Sequence, residues 1–344
     1  MKAQVIQADK TIQIKEKPVP TVANDEVLVR VTTVALNPTD WKHVQYMTVP
    51  GAICGCELVG EVVQVGESVT GFSVGDIISG ANHGSTYQNK GAFAEYAVVL
   101  EDLAWKVPDN VKPEEAVGMN VGLLTAMQSF YNTKYLAIPT PPAKIEGNQW
   151  ILIYGGSSSV GLYAIQLAKI SGFKVVTTAS PRNFDLLASL GADVVFDYRN
   201  PEVVDKIKAV TGNTIHLALD TISSLDSQTL TINSLAPGPG KLQLMMPPVD
   251  TISKLRQDIT IAMSNLYTVS GIAFKIADWD VPAQPEDREQ VREWLTGPGI
   301  QFVKDGLVKP NPVKLMPGGL AGIPEGLEYM KAGKNSAEKL VYKI

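Results

Sequence analysis

Trp150 to Phe173 reads WILIYGGSSSVGLYAIQLAKISGF: an apolar run halts at two glycines, three serines follow, and helix-period residues take over. Gly156, Ser158 and Gly161 occupy the three positions of G-x-G-x-x-G, with serine in the middle. The first glycine permits a tight strand-to-helix turn and the small middle residue lets backbone approach a pyrophosphate. The third allows close helix–strand packing. Phosphate oxygens are then expected on the amides of residues 156–161, that is Gly156, Ser157, Ser158, Ser159, Val160 and Gly161. There the helix dipole favours negative charge. Such a loop signals a dinucleotide site only within a strand–helix–strand unit, so its surroundings matter.

Those surroundings fit. After Gln149 the chain alternates between strand candidates (Ile151–Tyr154, Lys174–Thr178, Asp193–Phe196, His216–Leu219, Lys241–Met246) and helical stretches (Val160–Ser171, Asn183–Leu190, Glu202–Val210, Leu225–Leu235). This alternation predicts a doubly wound parallel sheet, an α/β arrangement. The first hundred residues read instead as short β-branched strands between Pro, Asn, Asp and Gly turns. The tail returns to mixed structure, ending in the strand EKLVYKI, and is expected to pack back on the first domain. The expected division is 1–120 with 275–344 for the β-rich domain and 121–274 for the dinucleotide-binding domain.

The second strand selects the cofactor. An NAD site normally ends it in an acid about 20 residues after the glycines. KVVTTASPRN offers none, but offers Ser180 and Arg182, which suit the 2′-phosphate of NADPH. The plainer alternative is a turn serine, a proline at the first helical position and a solvated arginine.

Composition bounds the remainder. With 344 residues, 45% hydrophobic and 19% charged, the chain reads as an ordinary globular protein. A formal charge of −5 argues against nucleic acid or an anionic membrane as partner. Met1–Lys10 lacks the apolar core of a signal peptide, no run reaches a membrane span, and the two cysteines, Cys54 and Cys56, cannot form a disulfide framework. The expected location is the cytoplasm.

The segments NPTDWKH, GCELVGEVVQVGESVTGFSVGD, GAFAEYAVV, GGSSSVG, LGADVVFDY and GKNSAEKLVY occur in the order found in the medium-chain dehydrogenase/reductase superfamily, which the chain resembles over essentially its whole length. NPTDWKH, ASPRNFDLLASLGAD and the C-terminal motif are most similar to the zinc-free fungal branch, which holds trans-acting enoyl reductases and yeast aldehyde reductases. The resemblance implies a GroES-like catalytic domain, a Rossmann domain and hydride transfer in the cleft between them.

The same resemblance argues against zinc. Zinc-dependent relatives carry cysteine where this chain has Asn37 and histidine where it has Cys56, and a catalytic zinc wants three protein ligands. Cys56, Glu57 and Asp40 remain as donors in principle, while His43, His83 and His216 are scattered through unrelated segments. By resemblance, Asn37, Lys42 and Thr125, the last at the start of a helix, lie beside the nicotinamide ribose, Lys42 orienting hydroxyls or relaying a proton and Thr125 sharing that hydrogen bond. The alternative is an Asp40–Lys42 surface pair and a packed Thr125. Tyr198 matches a tyrosine that reaches the 2′-phosphate, and Lys339 is expected at a cofactor phosphate, though its motif has Ala337 where glycine is usual. Ala273 and Phe274, in YTVSGIAF, match a strand holding the carboxamide. Trp41, Tyr46 and Met47 are candidates for the substrate wall.

The expected reaction is hydride transfer from NADPH to an α,β-unsaturated carbonyl or quinone. Reduction of aldehydes or ketones to alcohols is the alternative reading, and a non-catalytic NADPH-binding protein a third. The resemblance further implies a homodimer, with YTVSGIAF as edge strand, or a monomer as in the lovastatin-type enoyl reductases, and a carrier-protein partner if the chain serves a polyketide pathway.

Overall fold

A computed structural model describes residues 1–276 and 278–344. The chain divides into two compact units, 1–121 with 267–304 and 310–344, and 122–266 with 305–309. Residues 267–274, assigned by sequence to the dinucleotide-binding domain, cluster with the first unit.

The first unit is β-rich. Its opening hairpin is β1 (Lys2–Ile6) against β2 (Ile12–Glu16). The long β3 (Glu26–Ala35) pairs antiparallel with β4 (Glu57–Val65), which continues to β5 (Ile77–Ala81). β6 (Tyr96–Leu100) also pairs with β3, and β7 (Ala104–Lys106) extends the edge beside β5. Val29, Val59, Val62 and Ile78 are withdrawn from water, as the β-branched runs predict.

The second unit contains β8 (Trp150–Tyr154), β9 (Lys174–Ala179), β10 (Val194–Asp197), β11 (Leu217–Asp220), β12 (Gly240–Leu244) and β13 (Ile259–Met263). Their order is β10-β9-β8-β11-β12-β13, and every pairing is parallel. Relative to chain order this is 3-2-1-4-5-6, whose direction reverses between β8 and β11, the point where such sheets take their ligands. Leu152, Val176, Ala218 and Leu242 form the sheet's apolar core with Ile207 and Ile232 from flanking helices. Burial on both faces explains why these strands read as unbroken apolar runs and not as alternation.

The chain then returns to the first unit through the hairpin β14 (Phe274–Ile276) and β15 (Trp279–Val281). β16 (Val313–Leu315) and β17 (Lys339–Lys343) follow, and β17 pairs with β3, so the C-terminal strand does close the first unit. The edge-strand expectation for YTVSGIAF fails. Leu266–Ser270 is a 3₁₀ turn, Gly271 takes φ +74, and Phe274 belongs to the separate hairpin; the sheet of the second unit ends at β13. A left-handed residue in the middle of the segment cannot sit in a regular strand. No helix of the described residues is long and apolar enough to cross a membrane.

Candidate active site

In the second unit, β8 runs into the helix Ser159–Ile170 through the glycine–serine loop. A Cβ on Gly156 would stand 2.2 Å from Thr177 Oγ1, and one on Gly161 would stand 2.4 Å from the Gly155 carbonyl oxygen. Both glycines are therefore required by close packing, as the motif predicts. Ser158 caps the helix: its Oγ accepts from the Gly161 amide at 2.9 Å and donates to Thr221 Oγ1 at 2.8 Å. Thr221 follows β11, so the two strands flanking the topological reversal are tied together by hydroxyls. The Ser157 and Val160 amides make no backbone bond among the described residues, leaving donors where the helix dipole is positive. A pyrophosphate fits this cradle.

Beyond β9 and β10 lies a recess of about 360 Å³ lined by Ser180, Pro181, Arg182 and Arg199. The structure thus brings the predicted Ser180 and Arg182 together with an arginine that sequence reasoning passed over. Arg199 is gripped by Asp197: Nε donates to Oδ1 and Nη2 to Oδ2, both at 2.9 Å. The arginine holds the Asp197 carboxyl below its usual range. The guanidinium also lies 5.5 Å from the Tyr198 ring centre, so Tyr198, itself 41% exposed, forms the floor under Arg199. The available signal was the tripeptide Asp197-Tyr198-Arg199, of which only the tyrosine matched a family position.

The first unit holds a buried polar network. Lys339 Nζ lies 2.5 Å from Glu57 Oε1 and donates to Asn37 Oδ1 at 2.6 Å. Asn37 Nδ2 in turn donates to Glu57 Oε1 at 2.9 Å, and the Val121 amide donates to Oε2. Lys339 is 3% exposed and Glu57 fully buried. The expectation of Lys339 as a cofactor-phosphate contact gives way to this arrangement, because its ammonium is enclosed and neutralised by Glu57. Its stem runs over Gly118, where a Cβ would stand 2.8 Å from Lys339 Cγ. Ala337, two residues before it, has φ +53, which accounts for the usual glycine at that position.

Asn37 precedes the helix Pro38–Tyr46, and its amide donates to Asp40 Oδ2 at 2.7 Å, one half of a capping box. Asp40 is completely buried, so no Asp40–Lys42 surface pair exists. Burial pushes its carboxyl up to about 7. Lys42 is half-buried, its ammonium held below the usual lysine range by burial and 5.9 Å from the Trp41 ring centre. Trp41 meets Tyr46 edge-on, and Tyr46 is 68% exposed. Thr125 lies in the second unit, buried midway along the helix Asn120–Tyr131 and not at its start. Ala273 is exposed, while the Phe274 ring packs edge-on against His83.

The helix also delivers Thr39 and His43 to a second cluster. Tyr267 OH lies 2.6 Å from Thr39 Oγ1 and 3.4 Å from Cys56 Sγ; its ring stacks on His83 at 3.7 Å. Burial pushes the Cys56 thiol and Tyr267 phenol up, keeping both protonated. No three His, Cys, Asp or Glu side chains among the described residues are grouped to hold a metal ion.

Comparison with known proteins accords with both units. Residues 23–109 match the alcohol dehydrogenase GroES-like domain, and residues 159–273 match the zinc-binding dehydrogenase family. A trans-enoyl reductase of Alternaria alternata is 37% identical over 348 aligned residues, covering 100% of this chain and 98% of that protein. Among solved structures, a quinone oxidoreductase of Pseudomonas syringae shares the fold at TM-score 0.78 and 19% identity, with full coverage of both chains. The CurK enoyl reductase does so at 0.77 and 20%, with 99% of each covered. The chain belongs to the medium-chain dehydrogenase/reductase superfamily of oxidoreductases, in the family of the trans-enoyl reductases. Its cofactor is accordingly a nicotinamide dinucleotide.

Lys339→Met strands a buried carboxylate and is expected to cost about 3–5 kcal/mol in urea unfolding. The double variant with Glu57→Gln should lose less than the two singles added together. Asp40 has a folded value near 7 against 3.8 in the unfolded chain. Its contribution is therefore fully present below about pH 4 and lost as pH rises through 7. Asp40→Asn should flatten that fall in a pH series of unfolding midpoints.

Proposed function

We propose that the chain is an NADPH-dependent ene reductase that saturates an α,β-unsaturated carbonyl without a metal. The observation carrying the cofactor choice is the recess lined by Ser180, Pro181, Arg182 and Arg199, next to the end of β9, where an NAD site would carry an acid. The Arg182 guanidinium and the Ser180 hydroxyl suit a 2′-phosphate dianion, and Arg199, whose Nε and Nη2 are taken by Asp197, has Nη1 left to add to them. The amides at the start of the helix Ser159–Ile170 take the pyrophosphate, with Ser157 and Val160 as donors. The bound cofactor supplies hydride.

The chain's own residues have two further tasks in this reading. Negative charge grows on the substrate oxygen and needs neutral or cationic donors, and the α-carbon needs a proton. Lys42 is the proposed proton source: burial holds its ammonium below the usual lysine range. Thr125 is proposed to orient ribose hydroxyls, and Asn37 to act indirectly by seating the helix that carries Lys42. The donor set of the first unit supports metal independence, since Asn37 and Cys56 stand where zinc enzymes need ligands and Asn37 is engaged with Glu57 and Lys339. Enone over simple carbonyl reduction rests on kinship with the Alternaria enzyme. The proposed location is the cytoplasm.

Incubation with NADPH and one α,β-unsaturated ketone, with product identification by gas chromatography and mass detection, tests the reaction. A saturated ketone is expected; an allylic alcohol would convert the assignment to carbonyl reductase. Arg182→Ala and Arg199→Ala should each raise KM for NADPH roughly tenfold or more, at the strength of a lost charge-assisted hydrogen bond, and leave KM for NADH nearly unchanged. Equal effects on both cofactors would remove the 2′-phosphate role.

A further inference from the structure

The glycine–serine loop has six backbone amides, at residues 156–161, and the protein itself takes three of them. The Gly156 amide donates to the Thr178 carbonyl at 3.0 Å and the Ser158 amide to the Gly155 carbonyl at 2.9 Å. The third, the Gly161 amide, donates to Ser158 Oγ at 2.9 Å, so it is a side chain and not the backbone that occupies it. A hydroxyl holds one proton, and where Ser158 points its own is set from β11. Thr221 Oγ1 lies 2.9 Å from the Tyr154 carbonyl oxygen and 3.0 Å from that of Gly155. A carbonyl only accepts, so the Thr221 proton is committed there. Thr221 can then only accept from Ser158 Oγ, 2.8 Å away. Donation runs one way, from Ser158 to Thr221 and from Thr221 to the end of β8.

Thr221 is itself held. The Asp220 carboxyl is buried at the end of β11, where Oδ1 accepts from the Ile222 and Ser223 amides at 2.9 and 2.8 Å. Its Oδ2 accepts from Ser227 Oγ at 2.6 Å, and the Thr221 amide reaches the Tyr154 carbonyl at 3.2 Å. Gly155 has φ +75, and a Cβ there would stand 2.6 Å from Thr221 Oγ1, so the threonine uses room that this glycine leaves. Two glycines followed by three serines form a loop with little side-chain bulk to order it, and glycine loses the most freedom on ordering. One residue from the neighbouring strand supplies that order before any ligand arrives, and such preorganisation lowers the cost of binding.

We infer that Thr221 is a positioning residue for the diphosphate of the dinucleotide. By taking the Ser158 proton it keeps Ser158 Oγ turned as an acceptor toward the Gly161 amide. The Ser157 and Val160 amides, and not a serine hydroxyl, are thereby left as the donors. The inference rests on the reading that this loop holds the pyrophosphate, and not on the choice of NADPH over NADH. Its signature follows from that: Thr221 serves the part common to NADPH, NADH and ADP-ribose, whereas Arg182 and Arg199 serve the 2′-phosphate alone.

The test is calorimetric titration of the full chain with NADPH, NADH and ADP-ribose, with the melting temperature of each variant recorded. Thr221→Val keeps the branched shape, removes the hydroxyl, and should weaken all three ligands by a similar factor, about five- to tenfold. Thr221→Ser restores the hydroxyl and should bind within about twofold of wild type, whereas a role in packing alone would be filled by valine and not by serine. Ser158→Ala should weaken binding to a similar extent. Its double variant with Thr221→Val should bind no worse than the weaker single, since both break one chain of hydrogen bonds. Unchanged or tighter ADP-ribose binding by Thr221→Val, a loss confined to NADPH, or losses that multiply in the double variant overturn the inference. A wild type that binds none of the three ligands overturns it as well. If Thr221→Val does not fold, Ser158→Ala carries the test, and ADP-ribose binding equal to wild type overturns the inference. A wild type that binds NADPH and NADH equally, with the Thr221 pattern as expected, defeats the 2′-phosphate reading and leaves the positioning role standing.

Discussion

A lysine and a glutamate excluded from water must neutralise each other or neither can stay. In the first unit this requirement joins Glu57 at the start of β4 to Lys339 at the start of β17, with Asn37 bridging them through both ends of its amide. The second carboxylate oxygen takes the Val121 amide. Three distant segments and the entry to a helix are thereby held at fixed positions by charge-assisted bonds, which are stronger and more directional than apolar contact. The helix that Asn37 introduces carries Thr39, Lys42 and His43, so the chemistry-bearing side chains inherit their placement from a pair that takes no part in the proposed reaction.

The second unit is organised by a different constraint, absence of volume. Gly156 and Gly161 have no space for a side chain against Thr177 and the Gly155 carbonyl. This close approach brings the helix start against the end of β8. The hydroxyls of Ser158 and Thr221 then link β8 and β11 across the reversal in strand order. Amide donors come forward there because nothing larger than hydrogen stands at the two contact points.

The doubly wound unit was legible because its information is local: each strand, turn and helix is written in consecutive residues, and burial on both faces leaves continuous apolar runs. The glycine–serine turn from β8 into its helix was legible for the same reason. What the sequence concealed depends on long-range meetings. Lys339 follows Glu338 and looks like an ordinary solvated charge, while its partner Asn37 lies 302 residues away. His43 and His83 were read as scattered until a helix and the loop after β5 set their rings side by side. YTVSGIAF has the composition of a strand, and only the backbone at Gly271 discloses the break. Arg199 was missed because its value comes from Asp197, two residues back, which an inspection for acids at the end of β9 had no reason to consider.

The two units differ in when they can be completed during synthesis. All six strands of the parallel sheet lie between residues 150 and 263, a continuous stretch that a ribosome delivers in one piece. The β-rich unit begins earlier and finishes later, since β17 supplies both a strand against β3 and the only ammonium ion-paired with Glu57 among the described residues. Until Lys339 emerges, that carboxylate lacks its ammonium partner, and burying it ionised is costly. The β-rich unit is therefore the last to become water-tight, and its closure waits on β17.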